Sequence, residues 1–400
     1  MPMDHTSYTN VFSPGRSGEF DDIRPYYDSE IPAAMHRIAV SESFPLLASY
    51  VYPGQPLEEV RQRIASYPNI KSFQHETMSL VNEQIVQRSI ASFSCVGLDR
   101  LSPSAQYLYV SNHRDIMLDA SLLEYWLDKN GFDTTEITFG ANLMVNQLVV
   151  DIGKSNKMFR VDRPGGNIRD FYGKSRHLSR YIRHAITEKK QSVWIAQRNG
   201  RTKNGMDLTD QGIIKMFCMS EPMDKIRAIA DLHVVPVAVS YEWEPCDVLK
   251  TLELYESQFT KYTKKPGEDL NSILTGITQH KGRVHFEICE PITEAELRVY
   301  HEMTNHDYHR AVAHLIDQRI VSAYRLFPNN YIAYDLRYGS SRFCDRYTQE
   351  EKDLFVGRLS GLTRYDTCDV EQLTDIFLGI YSNPIVNKDK QNDRTDSSHL

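Results

Sequence analysis

The chain has 400 residues, 41% hydrophobic and 25% charged, enough to bury an ample core without disulfide support and without the bias of a disordered chain. Its net charge of −7 is uneven: residues 151–203 hold 14 Lys/Arg against 4 Asp/Glu, a local +10 inside an acidic protein. Such a block suits an anionic ligand or an anionic membrane surface; nucleic acid is not expected, since no nucleic-acid motif or aromatic-studded basic face accompanies it.

Met1-Pro2-Met3-Asp4-His5 opens a polar arm over residues 1–24, expected to be loosely held, rather than a signal peptide. Residues 31–90 read as helix with Pro breaks, and Met78, Val81 and Ile85 form a helical stripe. The apolar, aromatic stretch 44–52 is expected to dock on the core rather than on a membrane. From residue 93 short strands alternate with helices. Strands are predicted over 93–96, 107–110, 137–139, 192–196, 234–240 and 284–288. One helix follows Asp119, with Leu122, Leu123, Trp126 and Leu127 on one face, and another carries Leu178, Ile182, Ala185 and Ile186. That alternation predicts an α/β domain with a mixed or largely parallel sheet flanked by helices.

Beyond Ile292 the chain turns helical, with Ala311, Leu315, Ile316, Ile320, Val321 and Tyr324 in one stripe and two further helices over 346–380. The polar tail from Asn387 to Leu400 is expected to be disordered. The predicted organisation is therefore an N-terminal arm and helical region (1–90), an α/β domain (91–295), a helical C-terminal region (296–386) and a tail (387–400). His306, His309 and His314 lack a matching carboxylate set and read as surface residues, and the six scattered cysteines make no CxxC pair, so neither a metal nor a cofactor is expected. Unpaired thiols fit a reducing cytoplasm. No apolar run reaches the ~20 residues that cross a bilayer.

Four segments of the α/β region carry chemistry. His113 stands just after a strand with Asp115 and Asp119 close behind, a base with a carboxylate to fix its tautomer. Arg160 and Arg163 flank Val161-Asp162, and the strand over 192–196 runs into a loop with Arg198, Gly200, Arg201 and Lys203. Arginines and a lysine offer charge-assisted donors to a phosphate, and glycines let backbone approach it. Arg114 is a further candidate for substrate binding. The apolar strand containing Pro236 is a candidate channel wall for a greasy substrate. The pattern describes an anion site beside a base.

In order and spacing the four segments resemble the blocks of the glycerolipid acyltransferase superfamily, which includes glycerol-3-phosphate and 1-acylglycerol-3-phosphate acyltransferases. The match runs through Asn112-His113-Arg114, Asp119, Gly200-Arg201-Thr202-Lys203-Asn204-Gly205 and Val235-Pro236-Val237, over about residues 93–292. The resemblance implies an acyltransferase-like mixed sheet and transfer of a fatty acyl group from acyl-CoA or acyl-carrier protein to lysophosphatidate or glycerol 3-phosphate in phospholipid synthesis. In that chemistry His113 is the general base and Asp119 its orienter. With no spanning segment, attachment is expected to be peripheral, on the inner face of the cytoplasmic membrane, through the basic block or the apolar parts of residues 31–52. Two departures stand out. Five residues rather than four separate His113 from Asp119, so Asp115 is the alternative partner, although the helix after Asp119 favours Asp119. The family's third-block Glu is replaced by Gln197, Arg198 and Asn199. These departures keep two alternatives open: a different lipid acceptor, or a catalytically weak lipid-binding or regulatory protein on the same scaffold.

Overall fold

A computed structural model describes residues 18–162, 167–365 and 367–397. At its centre is a seven-stranded sheet of β1 (Ile90–Val96), β2 (Leu108–Ser111), β3 (Glu136–Gly140), β4 (Met158–Val161), β5 (Val193–Ala196), β6 (Val234–Tyr241) and β7 (Gly282–Ile288), in the order β1-β7-β6-β2-β5-β3-β4. Every neighbouring pair is parallel except β6 with β7. The mixed α/β sheet flanked by helices, with helical additions at both ends, is as the sequence implied.

β6 is buried along all eight residues, as its unbroken apolar run requires of a strand covered on both faces. Alternation then assigns the faces. Leu108, Val110, Ile195, Val234 and Ala238 pack under helices Ile168–Thr187 and Asn305–Ala323. Tyr109, Trp194, Val235, Val237, Val239 and Tyr241 pack under helix Leu118–Lys129, whose Leu122, Leu123 and Leu127 are fully buried. The parallel strands β2, β5 and β6 therefore end along one edge, with β2 in the middle.

Several features depart from the sequence reading. β4 was not anticipated: only Phe159 of its four residues is fully buried, and Lys157 and Arg160 mask the alternation. Helices Asp247–Phe259, Glu268–Thr278 and Pro328–Tyr338 were not anticipated either. Part of the expected arm is tied down, with Phe20 and Ile23 buried in the core and Phe20 edge-on to Tyr181. Residues 387–397, expected as a disordered tail, instead continue helix Val370–Ser397. Burial of Phe377, Tyr381 and Ile385 anchors that helix, and Asn387 Nδ2 donates to the Gly205 carbonyl while Arg342 pairs with Asp389. Composition alone does not reveal such hydrogen bonds.

The stretch 44–52 docks as expected: helix Phe44–Val51 and Tyr52 pack with Met35, Ile38, Val60 and Ile64 in a separate N-terminal core, leaving Leu46 and Leu47 exposed. His306 and His314 are exposed on helix Asn305–Ala323, and His309 is half-buried. No helix among the described residues is long and apolar enough to cross a membrane.

Candidate active site

The chain leaves β2 at Asn112, whose side chain continues the ladder in place of backbone. Its Oδ1 accepts from Val239 N (2.7 Å) and its Nδ2 donates to the Val239 carbonyl (2.9 Å). The turn that follows is pinned from the other side, where Thr202 N donates to the His113 carbonyl (2.7 Å). His113 Nδ1 then lies 2.9 Å from Asp119 Oδ2. The same oxygen accepts from the backbone N–H of Arg114 (2.6 Å) and of Asp115 (2.9 Å), and Asp119 Oδ1 accepts from the Tyr241 hydroxyl (2.9 Å). The five intervening residues wrap around this one carboxylate, so the longer spacing still closes the pair. With Nδ1 engaged, Nε2 is the nitrogen left to act as a base. Asp119 is fully buried, whereas the His113 side chain is 14% exposed, within reach of a substrate.

Asp115 does not partner His113. Its Oδ1 accepts from Met117 N and Leu118 N, both at 2.9 Å, and caps the start of helix Leu118–Lys129. Burial, then the charge of Asp119, push its carboxyl above the ordinary carboxylate range. Gly276 makes room for the other oxygen, since a Cβ there would stand 2.2 Å from Asp115 Oδ2.

The loop after β5 lies beside this turn. Gly205 adopts φ +76°, and a Cβ on it would meet the Ile380 carbonyl at 2.3 Å, so the loop needs glycine there on both counts. Arg201 is buried; one nitrogen donates to Ser272 Oγ (3.3 Å), and Nη1 has no partner among the described residues. Asp115 Oδ2, Gln197 Nε2, Thr202 Oγ1 and Asp207 Oδ1 are likewise buried and unpartnered. All five atoms belong to the segments that leave β2 and β5. Buried polar groups are normally paired, so their concentration here marks the place where a polar ligand would be met.

The family model described as Acyltransferase matches residues 92–240. Over that stretch the chain is similar to acyltransferase domains. The match begins in β1 and ends in β6, the stretch that holds His113, Asp119 and Arg201, and it bears out the superfamily read from the four blocks. Among solved structures, the 1-acyl-sn-glycerophosphate (LPA) acyltransferase PlsC from Thermotoga maritima is similar at 13% identity with a TM-score of 0.34, over 74% of this chain and 97% of that one. No curated protein matches the sequence.

Around the site several expected substrate-binding residues have other duties. Arg114 is 1% exposed and is used up internally: Nη2 pairs with Asp207 (2.5 Å), Nη1 with Glu244 (3.0 Å), and its guanidinium stands over Tyr324. Burial opposes its charge, but Asp207 and Glu244 outweigh that and hold the guanidinium above its ordinary value. Lys250 completes the cluster, with Nζ 2.5 Å from Glu244 Oε1 and 2.6 Å from the Arg114 carbonyl. Lys203 pairs with Glu253, although burial pulls its ammonium below the ordinary lysine value. Pro236 sits inside the sheet in register with Val110, on the core face shared with Val234 and Ala238. It is an interior ladder residue, not a channel wall.

Arg160 lies on β4, three strands from β2 and so roughly 14 Å away laterally, and it pairs with Asp162. Arg163 lies outside the described residues. Arg198 is half-buried and makes no ion pair among the described residues, and Gly200 takes φ +73° on the exposed part of the loop. Much of the basic block is neutralised in place, through Lys174–Asp162, Arg180–Glu19, Arg183–Asp231 and Lys189–Glu136. Of the sequence candidates, the structure gathers His113, Asp119 and the loop of Arg198, Gly200 and Arg201. Tyr241, Asp207, Glu244 and Lys250 were missed.

Proposed function

We propose that the protein is an O-acyltransferase that moves a fatty acyl group from the thioester of acyl-CoA or acyl-carrier protein to a glycerol-phosphate-type acceptor, lysophosphatidate or glycerol 3-phosphate, in phospholipid synthesis. The observation that carries this reading is the His113–Asp119 contact with Arg201 on the adjoining loop. His113 Nε2 takes the proton from the acceptor hydroxyl as that oxygen attacks the thioester carbonyl. The tetrahedral intermediate collapses, the C–S bond breaks, and the imidazolium returns the proton to the leaving thiolate. Asp119 holds the imidazole and balances its charge, as the carboxylate does in a Ser-His-Asp triad, and no acyl-enzyme forms. The closed His113–Asp119 distance favours catalysis over the binding-only alternative.

The test is thiol release from acyl-CoA and from acyl-carrier protein, with glycerol 3-phosphate and lysophosphatidate as separate acceptors. Release that depends on one of them names the acceptor; release with neither would sink this reading and point to a different lipid acceptor or to a binding protein. In the same assay Arg201→Ala is expected to raise KM for the phosphorylated acceptor by about 10–100-fold, the worth of a charge-assisted hydrogen bond, with less change for the acyl donor. An unchanged acceptor KM would remove Arg201 from the phosphate site.

The reading also carries a location, peripheral on the inner face of the cytoplasmic membrane. Leu46 and Leu47 on helix Phe44–Val51, and Ile168 and Tyr172 beside Arg169 and Arg176 on helix Ile168–Thr187, are exposed apolar and basic groups suited to a lipid surface. The protein is expected to co-sediment with vesicles containing phosphatidylglycerol at low salt and to be released as salt rises. Failure to sediment at low salt would count against peripheral attachment.

A further inference from the structure

We propose that Tyr241 is a positioning residue for acyl transfer: its hydroxyl, presented by the end of β6, holds the Asp119 carboxylate in the orientation that aims His113. The inference rests on the reading of His113 as the base. Asp119 Oδ2 already gathers three donors, the His113 ring nitrogen and two backbone N–H groups. Its other oxygen has one donor among the described residues, the Tyr241 hydroxyl at 2.9 Å. A carboxylate held at a single oxygen can swing about its Cβ–Cγ bond, and a donor on each oxygen stops that swing. Tyr241 is itself fixed: it is 1% exposed and is paired in the ladder with Val284 of β7. Two residues earlier on β6, Val239 clasps the Asn112 side chain. One rigid strand thus sets both flanks of His113, Asn112 before it and Asp119 after it.

The charged neighbours make the hydroxyl a dependable donor. Burial, then the charges of Asp119 and Asp115, with Glu244 further on, push Tyr241 well above the ordinary tyrosine value, so it keeps its proton. Asp115 is engaged in capping, Glu244 is tied to Arg114 and Lys250, and Arg201 is held at Ser272. None of these groups hydrogen-bonds the Tyr241 hydroxyl, so its removal leaves their contacts in place and acts on Asp119.

The test is Tyr241→Phe, which keeps the ring and deletes the donor. With less of its charge compensated, Asp119 stabilises the imidazolium more strongly, so His113 holds its proton to higher pH. The NMR titration of the His113 ring, and the acid limb of kcat/KM, are both expected to move to higher pH by about half a pH unit, with kcat about 3–30-fold lower and KM little changed. Should Tyr241→Phe fold poorly, 3-fluorotyrosine at position 241 keeps the shape and strengthens the donor, and the titration is expected to move to lower pH. A His113 titration unmoved in either variant overturns the inference and leaves Tyr241 as core packing. His113→Ala run alongside separates the two levels: full turnover in that variant removes the base reading itself, while loss of turnover with an unmoved titration in Tyr241→Phe removes this inference alone.

Discussion

Replacing His113 by Ala is expected to lower the rate of acyl transfer by about 10²–10⁴, the range that a positioned general base supplies. The prediction follows from geometry: Nδ1 is occupied by Asp119, Nε2 has no hydrogen-bond partner among the described residues, and the ring is partly exposed at the edge where β2 and β5 end. Deleting the imidazole leaves the fold's own supports intact, because Asn112, Thr202 N and the backbone amides around Asp119 hold the turn without it. Acceptor binding should therefore persist, and calorimetry with the acceptor that supports turnover separates lost chemistry from lost structure. Asp119→Asn should be nearly as damaging. An amide oxygen can still meet the imidazole and the two backbone donors, with its NH2 turned to the Tyr241 hydroxyl, but a neutral amide no longer balances the imidazolium that forms as the proton is taken. A His113→Ala protein that retained more than about a tenth of the wild-type rate would show that the acceptor hydroxyl is activated elsewhere.

Some of this site was legible in the sequence and some was not, and the difference is physical. β2, β5 and β6 are buried runs with strong local patterns, and the loops at their ends carried the candidates that the structure gathers. The competition between Asp115 and Asp119 turned on how a six-residue turn aims its amides, which spacing does not encode. Arg114 beside a candidate base reads as an anion donor; its true partners, Asp207 and Glu244, lie 93 and 130 residues further along the chain, and pairing at that range leaves no local trace. Arg160 failed for the related reason that β4 was not recognised, so its distance from β2 was not visible. Tyr241 did leave a signal. It ends the period-2 series Val235, Val237, Val239 on the face that packs against helix Leu118–Lys129, and a tyrosine at the end of such a series, facing the helix that carries Asp119, has one hydroxyl to place.

The second large effect concerns stability. Arg114→Ala is expected to cost about 3–5 kcal/mol, measured as a lower midpoint in urea unfolding at constant m. Asp207, Glu244 and Lys250 are all buried, and together with Arg114 they make two cations against two carboxylates. Removing the guanidinium leaves one cation for two carboxylates in a place that water does not reach, and the desolvation cost of the orphaned Asp207 dominates. Replacing both partners together tests that cause: Arg114→Met with Asp207→Asn should be less destabilised than the two single variants summed, because no unpaired charge remains. The same pair of measurements separates this role from substrate binding. A substrate ligand replaced by Lys keeps its charge and raises KM with little loss of stability, whereas Lys cannot reproduce the fork that reaches Asp207 and Glu244 at once, so Arg114→Lys should lose stability first. If Arg114→Lys instead unfolded at the wild-type urea concentration while the acceptor KM rose, the buried network would be dispensable and Arg114 would return to the list of substrate contacts.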